Sequence, residues 1–133
     1  MPPPVERIRI DTSEDLVGLR RCVRQAAIAM GFGPTDQVRL VTAASELARN
    51  IVLYAESGFA DISPIKRQGK RGLVLRFEDQ GQGISDIELA MKDGYTSGRG
   101  LGKGLPGARR LVDEFEIVSQ VGKGTVVTIT KWL

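Results

Sequence analysis

The sequence predicts an α+β fold, a two-layer sandwich in which helices cover one face of a mixed, mostly antiparallel sheet. Two long segments near the start have helical periodicity, and two later segment pairs alternate in polarity around glycine-rich turns, as hairpins do. The 133 residues, 41% of them apolar, suffice for one core. We therefore expect a single domain over residues 1–133, with residues 1–5 as a mobile tail.

The first half of the chain is predicted to hold a strand and two helices. The strand is indicated by Val5, Ile8 and Ile10. Thr12 and Asp15 can form a helix-start box and Gly31 suits a left-handed end, which predicts a first helix over residues 13–30. The second helix, residues 34–55, is expected to be largely buried because it combines two apolar stripes: Val38, Val41, Ala48 and Val52, and Leu40, Ala44, Leu47, Ile51 and Tyr54. Its remaining face carries Arg39, Ala43, Glu46, Asn50 and Leu53.

The second half is predicted to hold two hairpins with helices between them. Residues 59–66 and 73–79 form the first hairpin around residues 68–72, and Pro64 places the earlier strand at a sheet edge and the later one nearer the centre. A turn at 80–83, a short helix around 86–91, a glycine-dense loop over 94–107 and a helix over 105–114 follow. Residues 115–121 and 125–132 close the chain as a second hairpin.

The composition excludes several functional classes. The chain has no histidine, which removes Ser/His/Asp and Cys/His catalysis and histidine-based zinc sites. Its one cysteine, Cys22, lies in an apolar helical pattern and is expected to be a buried, inert thiol. The net charge is +3, but scattered basic residues and 5% aromatics disfavour nucleic-acid binding. No apolar run is long enough to span a bilayer, so we expect a cytoplasmic protein without membrane contact.

Two acidic motifs are candidates for function. Glu46 and Asn50 are one helical turn apart, so a proton-accepting carboxylate lies beside an amide oxygen that can bind magnesium. A solvated polar helix edge explains this pair alone more simply. Asp79 begins a run of acid, amides and glycines to Gly83 at a strand end, where an acid can accept a hydrogen bond from an exocyclic amine such as that of adenine. A plain turn explains this run alone equally well.

The glycine-dense loop is the third candidate. Residues 94–107 hold six of the chain's 16 glycines and lead into a predicted helix, an arrangement that favours phosphate binding over a flexible linker. The P-loop pattern fails here, because Ser97 stands where its first glycine belongs and Gly104 where Ser or Thr belongs. A dinucleotide fingerprint also fails, since no predicted strand directly precedes it and Pro106 interrupts it.

These motifs, with a final Gly-Lys-Gly-Thr turn ending at Thr125, resemble in their order the N, G1, G2 and G3 boxes of the GHKL ATPases, which have the Bergerat fold and include gyrase, Hsp-type chaperones, histidine kinases and MutL. Within that superfamily the chain is most similar to the RsbT group of serine/threonine-protein kinases. The similarity extends over residues 5–132 and rests on five segments, which are Gly-Phe-Gly from Gly31, Ser-Glu-Leu-Ala-Arg-Asn from Ser45, Asp-Gln-Gly from Asp79, Gly-Leu-Pro-Gly from Gly104 and Asp-Glu-Phe from Asp113.

The resemblance implies ATP and magnesium as cofactors and a role for each matching residue. Glu46 is implied as the general base, Asn50 as a magnesium ligand and Asp79 as the contact to the adenine amine. Gly83 is implied beside the base and Thr125 near the hydrogen-bond network on the adenine side, and Gly81 is expected to be cofactor-binding. The phosphate lid is implied at Gly100, Gly102 and Gly104. Gly98, Leu101 and Lys103 of the same loop are expected to be cofactor-binding as well, Lys103 as a local addition to the lid.

The resemblance also implies partners and a role in stress signalling. The substrates are expected to be STAS-domain scaffold or antagonist proteins of the stressosome, similar to RsbS and RsbR, and the released kinase is expected to activate an RsbU-like phosphatase. Three alternatives are a kinase that also sequesters a sigma factor, a nucleotide-gated binding module without transfer, and a detached histidine-kinase ATPase domain. Arg20, Arg21 and Arg24 can dock an acidic partner, although a solvated basic edge explains them more simply.

Overall fold

The computed structural model describes residues 6–55, 57–81, 83, 91 and 104–133. The elements in chain order are β1 (Glu6–Ile10), α1 (Asp15–Met30), α2 (Pro34–Tyr54), β2 (Gly58–Arg67), β3 (Lys70–Asp79), α3 (Leu105–Arg110), β4 (Glu114–Gln120) and β5 (Gly124–Trp132). The five described strands form one sheet in the order β1-β2-β3-β5-β4, and each neighbouring pair is antiparallel. The predicted helix around 86–91 and most of the glycine loop lie outside the described residues.

Both long helices begin and end where the sequence signals them. The Asp15 carboxylate accepts hydrogen bonds from the backbone N–H groups of Asp11 and Thr12 at 2.8 and 2.9 Å, so Thr12 and Asp15 meet as predicted, although α1 begins at Asp15 and not at residue 13. Gly31 ends this helix with φ 96°, a left-handed conformation that glycine adopts without steric cost. Pro34 opens α2 directly after the extended Gly33.

The core lies between these helices and one face of the sheet. Its largest fully buried side chains come from α1, α2, β1, β3 and β5 and are Ile10, Leu19, Val23, Leu40, Leu73, Leu75 and Ile129. Two residues of α2 were assigned to the wrong face: Val38 is 57% exposed and Ala43 is fully buried. Both lie at the margins of the buried arc, where helical spacing alone does not decide burial. Cys22 is half-buried, and this burial raises the pKa of its thiol, which keeps it protonated.

The first hairpin differs from the prediction in length and in position. Its strands reach Arg67 and Lys70, which pair across a two-residue turn with positive φ at Gln68 and Gly69, so the predicted five-residue loop is wrong. β2 is an interior strand, which contradicts the edge position inferred from Pro64. Among the described residues the pairing of β1 with β2 runs from Ile10 to Glu6, which is opposite Ile62, so no described β1 residue lies opposite Pro64.

The last helix is shorter than predicted. α3 ends at Arg110, whereas helical periodicity had suggested residue 114. The Asp113 backbone N–H donates to the Thr130 carbonyl at 3.0 Å, and its carboxylate accepts from the Trp132 N–H at 2.7 Å. These bonds to β5 draw the chain into the sheet, so the next residue, Glu114, begins β4. The closing hairpin otherwise agrees with the prediction to within a residue.

Side-chain alternation decides which strand residues face the helices. The buried Leu75 and Phe77 of β3 share a face with Asp79, and the buried Val127 and Ile129 of β5 share that face with Thr125. Asp79 is paired with Thr125, and Thr125 with Ser119 of β4. Polar side chains of three adjacent strands therefore form one row on the helix-covered face, at one end of the sheet.

Candidate functional site

The carboxylate of Glu46 lies against the backbone of Gly104. Glu46 is half-buried on α2, and Gly104 precedes α3 with φ 87°. A Cβ atom on Gly104 would stand 2.6 Å from Oε2 of Glu46, so only glycine leaves room for this approach. The structure thus brings the predicted base to the C-terminal end of the glycine-dense loop.

Asn50 follows Glu46 by one helical turn and is also half-buried. Among the described residues no group of three or more His, Cys, Asp or Glu side chains is placed to hold a metal ion. Magnesium commonly takes only one or two protein ligands and completes its shell with substrate phosphates and water. A single amide oxygen at Asn50 fits that mode of binding and does not fit an all-protein cage.

Asp79 ends β3 and is held by two backbone donors. The Gly81 N–H donates to its Oδ1 atom at 2.9 Å, and the Thr125 N–H donates to the same carboxylate. Burial raises the pKa of this carboxyl above the ordinary aspartate value, and the two N–H donors act in the opposite direction. A desolvated carboxylate with acceptor capacity left over is suited to bind a hydrogen-bond donor of a ligand.

The hydroxyl row beside Asp79 is tightly bonded. Ser119 Oγ lies 2.7 Å from Thr125 Oγ1, and it also donates to the Gly124 carbonyl at 3.1 Å. Gly124 itself has φ 100°, and a Cβ there would overlap the backbone carbonyl of Asp79. The strand ends are therefore packed together at backbone level, which fixes the positions of their side chains.

The end of α2 lies beside the turn after Asp79. A Cβ on Gly81 would stand 2.8 Å from the Cβ of Ala55, which directly follows the helix. Nine residues separate Glu46 from Ala55, so at 1.5 Å per residue the two ends of the site are about 14 Å apart along α2. That span is comparable to an extended nucleoside triphosphate, whose base and terminal phosphate would lie at opposite ends.

The described residues bring together most of the predicted site. Glu46 and Gly104 lie in contact at one end, and Asp79, Gly81 and Thr125 at the other, with Asn50 on the helix between them. Gly83, with φ 79°, lies against the carbonyl of Gln120 at the end of β4. Gly98, Gly100, Leu101, Gly102 and Lys103 lie outside the described residues. Ser119 was missed, because the predicted turn at residues 122–124 places residue 121 opposite Thr125, whereas in the structure Ser119 pairs with it.

The three arginines of α1 have different environments. Arg20 is half-buried, and its Nε atom donates to Ser45 Oγ at 2.9 Å, which joins α1 to α2 one residue before Glu46. Arg21 and Arg24 are exposed. A docking role for the basic edge of α1 is therefore reasonable only for these two, because Arg20 is held by a contact within the fold.

The one-sided helical layer, the acid at the strand end and the glycine beside the helix carboxylate are the features that the sequence predicted for an ATPase domain. The family model described as histidine kinase-, DNA gyrase B- and HSP90-like ATPase matches residues 35–133. The described residues contain no helix both long and apolar enough to cross a membrane.

Similarity to individual proteins shows to which group within this ATPase family the chain belongs. The chain is 49% identical over 126 residues to the serine/threonine-protein kinase RsbT of Bacillus subtilis strain 168, covering 95% of each chain. It is 32% identical over 115 residues to an anti-sigma F factor of Thermoanaerobacter strain X514, covering 81% of this chain and 80% of that one. The chain belongs to this ATPase family and, within it, to the RsbT-type serine/threonine-protein kinases.

A solved structure shows the same fold. The crystal structure of the RsbU and RsbW domains of Rv1364c from Mycobacterium tuberculosis aligns with a TM-score of 0.68 at 23% identity. The alignment covers 98% of this chain and 32% of that one. At this identity the likeness supports the fold class predicted from the sequence, an α+β sandwich, and nothing further.

Proposed function

We propose that the chain is the ATP-dependent kinase of a partner switch, which phosphorylates serine or threonine on STAS-domain proteins and, once released, activates an RsbU-like phosphatase. The observation that carries the catalytic part is the contact between Glu46 and Gly104. In this contact the helix carboxylate lies next to the end of the glycine-dense loop. A loop that binds the terminal phosphate would therefore bring it close to Glu46, where the partner's hydroxyl has to attack.

The base end of the site supports ATP as the donor. Asp79 offers a desolvated carboxylate acceptor, which suits the exocyclic amine of adenine. The closeness of Gly81 to Ala55 allows the strand-end turn to lie against the end of α2. The proposed base contacts would then lie about 14 Å from Glu46 along the helix, at 1.5 Å per residue.

Glu46 would act as the general base. It accepts the proton of the partner's hydroxyl, whose oxygen then attacks the γ-phosphorus while the bond to the β-phosphate oxygen breaks and ADP leaves. Asn50 would hold magnesium through its amide oxygen. When bound with ATP, the ion neutralises phosphate charge. The fold contributes mainly by positioning, since Glu46 is fixed on a buried helix.

Glu46→Gln tests the catalytic role. We expect Mg-ATP affinity to stay within about twofold, while phosphate transfer to a purified STAS partner falls about 10² to 10⁴-fold, as for loss of a general base. Glu116→Gln is the matched control, because Glu116 is exposed on β4, on the sheet face without helices. Full transfer by Glu46→Gln would contradict the assignment, and lost ATP binding would indicate a role in binding instead.

A second candidate is a kinase that also binds a sigma factor. Several relatives are anti-sigma F factors, at 31 to 33% identity. The 49% identity to RsbT favours the phosphatase as the second partner. Binding assays with a sigma factor and with the N-terminal domain of the phosphatase separate the two candidates, and we expect binding to the phosphatase domain alone.

A further inference from the structure

The tip of the first hairpin concentrates positive charge. Residues 66–71 read Lys-Arg-Gln-Gly-Lys-Arg, so four cations and no acid lie within six exposed positions. The strand register places Lys66 directly opposite Arg71, and Arg67 directly opposite Lys70. Like charges in directly opposite positions destabilise a strand pair. The arrangement therefore does not favour the hairpin itself, and a bound anionic group would offset its repulsion.

The two like-charged pairs lie on opposite faces of the sheet and have different surroundings. Arg67 donates to the Glu114 carboxylate at 3.2 and 3.3 Å, and its guanidinium lies 5.1 Å from the centre of the Trp132 ring. The charge of Arg67 is thus balanced within the fold. Within the described part of the chain, no acidic side chain forms an ion pair with Lys66 or Arg71. These two side chains are therefore available to an anionic partner.

Lys66 and Arg71 border an apolar recess. Side-chain alternation puts Pro64 and Lys66 on the helix-covered face of β2, yet Lys66 is exposed, because α1 ends at Met30 and does not extend over the tip. The recess has a volume of about 350 Å³ and is lined by Met30, Pro64 and Ile65, with Lys66 and Arg71 as its basic part. A phosphate backbone would use only the cations, whereas a protein segment with acidic side chains and one apolar side chain matches both parts.

We propose that this recess is a docking site for an acidic segment of a protein partner. One apolar side chain of the segment enters the recess, and its carboxylates pair with Lys66 and Arg71. The site lies at the opposite end of β3 from Asp79, about 30 Å away at about 3.3 Å per residue. A partner that is activated and not phosphorylated does not have to reach Glu46. The segment is therefore assigned to the phosphatase, a step that rests on the proposed function.

Lys66→Gln tests the docking site by titration calorimetry with the N-terminal domain of the phosphatase. We expect its Kd to rise about 3- to 5-fold, as for the loss of one exposed ion pair. Arg9→Gln is the matched control, since it removes the same charge from an exposed residue of β1 whose strand partner, Phe59, lies at the other end of β2. The control should leave the Kd unchanged. An unchanged Kd in Lys66→Gln, or an equal rise in the control, would overturn the inference.

Lys66→Glu separates docking from stability. The new carboxylate would stand opposite Arg71 and replace a like-charged pair by an opposite one, so the urea midpoint of unfolding should stay the same or rise. Its repulsion of the acidic segment should raise the Kd at least about 10-fold. A lower midpoint would overturn the inference, because it would indicate that Lys66 serves the fold, for example at the C-terminal end of α1, whose last turn has no basic residue.

Two further measurements separate this inference from the proposed function. Mg-ATP binding and phosphate transfer to the STAS partner should be unchanged in Lys66→Glu, and a loss of either would show that the tip belongs to the catalytic site instead. A single-stranded oligonucleotide that binds wild type but not Lys66→Glu would identify a nucleic-acid site and overturn the inference. If wild type neither transfers phosphate nor binds the phosphatase domain, the proposed function fails and the inference with it.

Discussion

Gly104 approaches Glu46 so closely that a methyl group on the glycine would stand 2.6 Å from Oε2 and 3.3 Å from Cβ of the glutamate. The atom in the way is the free end of a flexible side chain, which can swing aside. A side chain at Gly104 would therefore displace the carboxylate more readily than it would disrupt the fold.

We expect Gly104→Ala to lower the rate of phosphate transfer strongly and the free energy of unfolding only modestly. The positive φ of 87° costs a non-glycine residue about 1–2 kcal/mol, and Glu46 would be pushed from its position. The measurements are the transfer rate and the free energy of unfolding in urea. Gly107→Ala is the control, since a Cβ there meets nothing within 4 Å inside α3 and should be neutral or stabilising. Equal transfer rates in the two variants would contradict the prediction.

Gly124→Ala should destabilise the protein more than Gly122→Ala. Both positions have positive φ, so both variants carry a backbone cost of about 1–2 kcal/mol. At Gly122 the added Cβ enters open space, whereas at Gly124 it overlaps the Asp79 carbonyl, which as backbone cannot move away. The overlap adds about 1–3 kcal/mol, by analogy with overpacked cores. Thermal or urea unfolding of both variants checks the order, and a larger loss for Gly122→Ala would refute it.

ATP affinity should fall on acidification through the raised pKa of Asp79. Burial raises this pKa above the reference value of 3.8, so the carboxyl takes up its proton at a higher pH than an exposed aspartate and then loses acceptor capacity. Because Asp79→Asn cannot titrate, subtracting its pH profile removes the ionisation of ATP itself. Identical profiles for wild type and this variant would show that Asp79 does not govern binding.

The same shift fixes the sign of a stability effect. Between the unfolded and the raised folded pKa, the native state holds more protons than the unfolded chain. The contribution of Asp79 to stability is therefore fully present below the unfolded pKa and is lost as the pH rises through the folded value. Urea unfolding of wild type and Asp79→Asn across this window should diverge in that direction.

Arg20→Ala should lower the free energy of unfolding by about 0.5–1.5 kcal/mol, the usual net worth of a hydrogen bond, because the Arg20 bond to Ser45 joins α1 to α2. The exposed Arg21 and Arg24 should tolerate alanine within about 0.5 kcal/mol. Urea denaturation of the three variants decides this. If Arg20→Ala proves as silent as the others, the bond is not a structural link.

The sequence predicted those parts of the fold in which local chemistry and the buried pattern agree. Gly31, Pro34 and Asp15 marked helix ends because each acts through its own backbone or side chain. Pro64 misled because the pairing of β1 with β2, which makes β2 an interior strand, joins distant segments and has no signal near Pro64 in the sequence. The end of α3 was missed for a similar reason, since it is set by Asp113 bonding to β5.

The candidate site was predicted through its motifs and their order, and the structure supplied the contacts between them. Glu46 and Asp79 stood out as acids in unusual settings. The closeness of Gly104 to Glu46, and of Gly81 to Ala55, depends on how distant segments pack and has no local signal. Ser119 was passed over because a serine in a strand is unremarkable until pairing places it opposite Thr125.

The helical segment of α2 between Glu46 and Ala55 has a fixed length, which affects how the product ADP would bind. The loss of one phosphate from the nucleotide does not change the distance between the two ends of the site. In the proposed site ADP would meet the same base contacts as ATP and leave a gap only before Glu46, so ADP would compete with ATP for the site. Sustained turnover then depends on how readily ADP departs.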